Sequence, residues 1–67
     1  MEFIEKADIR IKHWINHNAD HVQEYESFAH ELENAGKRES AHYIRQAAEL
    51  TKGCAKLLES ASALLEE

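Results

Sequence analysis

Apolar residues recur every seven positions through the first half of this chain, and that period constrains the fold more than any other feature of it. Ile4, Ile11, Asn18, Tyr25 and Leu32 form one series. Ala7, Trp14, His21, Phe28 and Ala35, three positions on, form its companion. Read as a and d positions of a heptad, they lay one stripe along the whole segment, and Ile15, Val22 and Ala29 widen it on one side. There is no proline to break a helix, and the only glycines are Gly36 and Gly53. Abundant Ala, Glu, Leu and Lys favour helix over sheet. The pattern predicts a first helix over about 3–35, ended at Asn34-Ala35-Gly36, because glycine at C′ adopts the left-handed conformation without a Cβ penalty.

The second segment, about 37–65, repeats the logic with smaller side chains. Ile44, Thr51, Leu58 and Leu65 run beside Ala41, Ala48, Ala55 and Ser62. A further stripe is Ala47, Leu50, Cys54, Leu57, Ala61 and Leu64. Together they cover roughly 200° of the helical wheel, more than one partner helix can bury. A connection of a few residues near Gly36 folds the helices back on each other as an antiparallel hairpin. The expected fold is therefore all-α: one domain over residues 1–67, a hairpin that dimerises into a four-helix bundle to cover the second stripe. With 67 residues, a single core is barely enough for stability.

The net charge of −5 is unevenly placed. Eight acids face three bases (Lys6, Arg10, Lys12) before Gly36, whereas five of each follow it, and no Lys or Arg occurs from Asp20 to Ala35. Such a surface repels phosphate backbones and anionic lipid, so nucleic acid and membrane surfaces are not expected partners, whereas a cation is a suitable one. No apolar run is long enough to span a bilayer, and MEFIEKADIR lacks the apolar core of a signal peptide. The lone Cys54 excludes an intrachain disulfide and fits a reducing compartment, so a cytoplasmic location is expected.

Chemistry concentrates in HWINHNADH, from His13 to His21. Histidines four apart on a helix point the same way and can share one cation, and both His13/His17 and His17/His21 have that spacing. His17 and His21 are the leading metal-ligand candidates, with His13 or Glu24 assisting and Asn18 orienting a ring nitrogen. A thiolate from Cys54 across the hairpin, or a twofold-related copy, would complete the set for a divalent transition ion such as zinc, nickel or cobalt. Affinity would fall as imidazoles protonate around pH 6.5.

The alternative is a structural or partner-binding bundle without metal. Pairing residues equidistant from Gly36 sets Trp14 near Leu58, Asn18 against Cys54 and His21 against Thr51. A polar layer midway along an apolar seam fixes register and oligomeric state by itself. Trp14 and Tyr25 read as core, while His30 and His42 lie off the stripe and read as solvated. Glu39-Ser40-Ala41-His42 matches the Glu-x-x-His element of di-iron bundles, but no core glutamate stands ready to complete such a site. A thiol–imidazole nucleophile would need a cleft and an oxyanion-stabilising donor, which a uniform hairpin does not offer, so an enzyme is not expected.

The stretch Arg10–Phe28, and less closely the whole hairpin, resembles small, largely uncharacterised prokaryotic helical domains with a His-Trp-x-x-His-Asn-x-x-His signature, a turn and an alanine-rich second helix. The matching residues are His13, Trp14, His17, Asn18 and His21. The resemblance implies the hairpin fold. Cys54 lies outside the signature, which favours an all-histidine or histidine–carboxylate version of the metal site.

Overall fold

Two long helices, α1 (Glu2–Asn34) and α2 (Arg38–Leu64), make up the computed structural model, which describes residues 2–65. They pack against each other as an antiparallel pair. Glu33 meets Arg45 near the turn, Asn18 meets Cys54 midway, and Asp8 meets Ser62 at the far end. The Cα trace measures 53 × 14 × 10 Å, a ribbon one helix deep.

The reversal is a Schellman turn. The Lys37 N–H donates to the Leu32 carbonyl at 2.8 Å and the Gly36 N–H to that of Glu33 at 3.0 Å. Gly36 stands between them at φ +83, and nothing lies within 4 Å of where its Cβ would be. Glycine is needed here for its backbone freedom, not for close packing. Lys37 caps α2 without a side-chain hydrogen bond, so the turn is held mainly from the α1 side.

The seam selects the narrow residues of the sequence pattern. On α1 it runs Ile4, Asp8, Ile11, Ile15, Asn18, Val22, Tyr25, Ala29 and Leu32; on α2 it runs Ala41, Ile44, Ala48, Thr51, Ala55, Leu58, Ser62 and Leu65. Both follow alternating three- and four-residue steps, as close helix packing demands. Among the described residues the fully buried ones are three alanines, Ala29, Ala41 and Ala48. No large side chain among the described residues is fully buried.

This differs from the a/d stripe expected for α1. The Ile15, Val22, Ala29 series, thought to be a widening of the stripe, faces α2, and the companion series is displaced to its flank. Ala7 and His21 remain half-buried there, but Trp14 is 46% exposed and Phe28 51% exposed. Trp14 is therefore not part of the hairpin core. A bulky side chain in place of Ala29, Ala41 or Ala48 would hold the helices apart and forfeit the contacts made there.

The two edges of the ribbon differ in kind. Residues one position after the seam meet on one edge, where Arg45 pairs with Glu33 at 2.6 Å and Lys52 with Glu26 at 3.1 Å and Glu49 at 3.3 Å. The Arg45 hydrogen bond and charge hold the Glu33 carboxyl below the usual carboxylate range. Hydrogen bonds to Glu26 and Glu49 raise the Lys52 ammonium above its ordinary value. Towards the open end of the hairpin, Asp8 accepts from Lys12 at 2.7 Å and from the Ser62 hydroxyl, and these bonds lower its carboxyl. Exposed pairs of this kind contribute little each, but they mark this edge as closed and solvated.

Candidate functional site

The opposite edge carries apolar surface. In an antiparallel pair, positions displaced in the same rotational sense from each seam lie on the same side, as the Glu33–Arg45 and Glu26–Lys52 pairs demonstrate for the closed edge. Displacement the other way brings Phe3, Trp14 and Phe28 of α1 onto one face with Tyr43, Leu50, Leu57 and Leu64 of α2. Of the eight exposed large apolar residues among the described ones, these seven share that face and Ile9 lies elsewhere. Scattered exposed hydrophobics are ordinary, but a continuous stripe of them marks a contact surface. Ala47, half-buried, and Cys54 and Ala61, exposed, fill the strip between the leucines and the seam.

Midway along this face lies a polar layer. The Asn18 amide donates to the Cys54 sulfur at 3.7 Å, the cross-hairpin partner expected from the sequence. His21 does not meet Thr51 in the manner considered above, because the Thr51 hydroxyl donates to the Ala47 carbonyl of its own helix at 2.8 Å. Cys54 is a free, exposed thiol.

The histidines form a ladder that climbs α1 from its outer surface to the seam. Ring centroids of His13 and His17 are 6.0 Å apart, those of His17 and His21 4.3 Å, and those of His21 and Tyr25 6.0 Å. The spacing of four residues advances each ring by roughly 40° around the helix, so the ladder spirals and its members face different neighbours. His13 points outward, while His17 and His21 straddle the direction in which the open face looks. Glu24 reaches His21 rather than solvent alone, with its Oε2 3.7 Å from Nδ1. Tyr25, at the top of the ladder, is a member that histidine spacing could not reveal; its heptad position next after Asn18 was the available signal.

Among the described residues, no three His, Cys, Asp or Glu side chains converge as a metal-binding group. The chain thus brings His17 and His21 together, sets Glu24 behind His21, and keeps His13 one step removed. His42 contacts Tyr43 edge-on at 5.7 Å, and His30 is exposed on α1, so neither joins the ladder. No helix among the described residues is long and apolar enough to cross a membrane.

Comparison with known proteins adds a family. Residues 7–65, nearly the whole hairpin, match a family described as a domain of unknown function, DUF8180. No curated protein and no solved structure matches the chain.

Proposed function

The chain belongs to the DUF8180 family of helical domains, and from that premise we propose that it works as a pairing module, two copies closing face to face into a four-helix bundle. One observation carries this reading: among the described residues, seven of the eight exposed large apolar side chains lie on one face of a hairpin whose fully buried residues are all alanines.

The areas agree with it. The chain exposes 5436 Å², whereas a compact monomer of its mass would expose about 4,300 Å². The excess, about 1,100 Å², is more than the roughly 800 Å² that each partner contributes to a standard interface. The radius of gyration, 15.6 Å, likewise exceeds the roughly 11 Å of a compact domain of this length. A second copy laid across the open face makes the ribbon two layers thick and supplies the core that the single hairpin lacks.

A second copy is also the occupant that the polar layer fits. Asn18 is the midpoint of α1 and Thr51 that of α2. Any twofold that overlaps the open faces along their full length therefore sets the Asn18–Cys54 layer against its own mate. A layer at an end would be matched with apolar surface and would leave its polar groups without partners. The layer then fixes register at some cost in stability. An exposed, unpaired thiol within it suits a reducing compartment, consistent with a cytoplasmic protein. The module binds rather than catalyses.

Sedimentation equilibrium of the full chain tests the proposal. A mass twice that of the 7.7 kDa chain at micromolar concentration is expected. A folded, strongly helical monomer over the same range overturns it.

A further inference from the structure

We propose that the His17–His21 pair is half of a transition-metal site, which the same pair of the second copy completes as a four-imidazole cage on the twofold axis. The inference rests on the face-to-face dimer, and three features of the chain lead to it.

First, the pair offers two imidazoles and, among the described residues, no third ligand beside them. Its rings lie side by side at 4.3 Å on one helix face, yet among the described residues no third His, Cys, Asp or Glu joins them as a binding group. Two residues on one helix cannot surround an ion. Tetrahedral zinc or cobalt needs four donors in a closed site, and imidazole suits these ions far better than it suits magnesium or calcium.

Second, the pair is centred beside the twofold. Its midpoint along the chain falls within one residue of Asn18, the midpoint of α1. When α1 of one copy crosses α1 of the other antiparallel about the pair's own midpoint, at Ala19, His17 faces His21 of the second copy and His21 faces His17. Charge favours this crossing over one that lays α1 on α2. Of the four cations of α2, Arg45 and Lys52 are engaged on the closed edge. On the rim of the open face, Arg10 is basic and Glu31 acidic, and neither has an ion pair among the described residues. The antiparallel crossing brings Arg10 of each copy within about one helical turn of Glu31 of the other.

Third, the carboxylate behind the pair is already in place. Glu24 Oε2 stands 3.7 Å from His21 Nδ1. That is longer than a hydrogen bond, but a carboxylate closing from there onto Nδ1 would hold the proton and leave the Nε2 lone pair free for the metal, the usual arrangement behind a histidine ligand. Glu24 is thereby a positioning residue and not a ligand. His13, stacked on His17 at 6.0 Å and turned outward, takes no part.

The experiment is a titration of cobalt(II), then zinc, into chelator-stripped full-length protein, followed by visible absorption and calorimetry, with sedimentation of the metal-free sample in parallel. The expected result is one ion per two chains with the intense visible bands of tetrahedral cobalt. His17→Ala and His21→Ala each remove two of four ligands and should weaken binding by more than the roughly 10–100-fold that loss of an outer partner costs. Glu24→Gln should fall within that 10–100-fold range and keep the tetrahedral spectrum. His13→Ala should change neither stoichiometry nor affinity. The substituted positions are exposed or half-buried, and circular dichroism verifies that each variant stays folded. One ion per chain, binding that survives His17→Ala and His21→Ala, or dependence on His13 overturns the shared site. A metal-free dimer that binds no cobalt overturns the site and leaves the pairing module standing. A metal-free monomer overturns the pairing module itself.

Discussion

Leu57 offers the sharpest test of whether the open face is an interface. It is 74% exposed on the hairpin and sits on α2 between Leu50 and Leu64, which are 77% and 65% exposed. Burying a leucine fully is worth about 1.5–3 kcal/mol, and most of that gain is still to be realised at Leu57. Truncation to alanine therefore removes about 1–2 kcal/mol from each copy and about 2–4 kcal/mol from the dimer. At 1.4 kcal/mol per factor of ten, Leu57→Ala should raise the dissociation constant about 30- to 700-fold. In an isolated hairpin the same change would be nearly silent, because a side chain already in water loses few contacts and alanine is at least as good a helix former as leucine.

Ile9→Ala is the internal control. Ile9 is 69% exposed, much like Leu57, but lies off the open face. Analytical ultracentrifugation over a concentration series, with thermal unfolding at the same concentrations, gives both readouts. Wild type and Ile9→Ala should share one dissociation constant and a midpoint that rises with concentration. Leu57→Ala should dissociate at higher concentration and melt earlier. Equal behaviour of the two variants would refute the assignment of the face.

Asn18→Leu replaces the centre of the polar layer with apolar surface and should preserve or raise stability to denaturant while broadening the oligomeric distribution in sedimentation; a destabilised variant of unchanged stoichiometry contradicts a register role. Gly36→Ala should cost about 1–2 kcal/mol in chemical denaturation, since φ +83 is strained for any side chain although the space is open, and an unchanged midpoint would count against the Schellman turn. Acid should weaken the fold in a defined window. Asp8 and Glu33 have carboxyls lowered from 3.8 and 4.5, so their stabilisation is complete above those values and is lost as pH falls through the lower folded-state ones. Lys52, raised from 10.5, loses its share only in alkali, as pH rises beyond that value. A denaturation midpoint that is flat from pH 5 down to pH 2 would contradict the acid half of this account.

The sequence pattern locates the helices and the turn but leaves the partner of each stripe open, and the reason is geometric. The heptad series identifies Ile4, Ile11, Asn18, Tyr25 and Leu32 as inward-facing, and all five lie on the observed seam. It cannot say whether the flank toward Trp14 and Phe28 or the flank toward Ile15, Val22 and Ala29 meets α2, because both are apolar and equally periodic. The structure decides by volume. Ala29 faces the Ala41–Ala48 stretch of α2, so the backbones approach closely and the aromatic flank is left over. The surplus on α2 was legible, since an arc of roughly 200° exceeds what one neighbour covers. The matching surplus on α1 was not, because it looks like core until the seam is drawn on its other side. The histidine ladder follows the same rule. Spacing shows that His13, His17 and His21 advance around the helix together, but only the position of the seam separates the outward His13 from the pair on the open face. A single chain supplies two neighbouring imidazoles, a carboxylate near one of them, and an exposed apolar face beside them. Pairing and metal binding, as proposed, meet at one residue: His21 lies half-buried on the flank that a second copy would cover, and its ring is one that an ion would use.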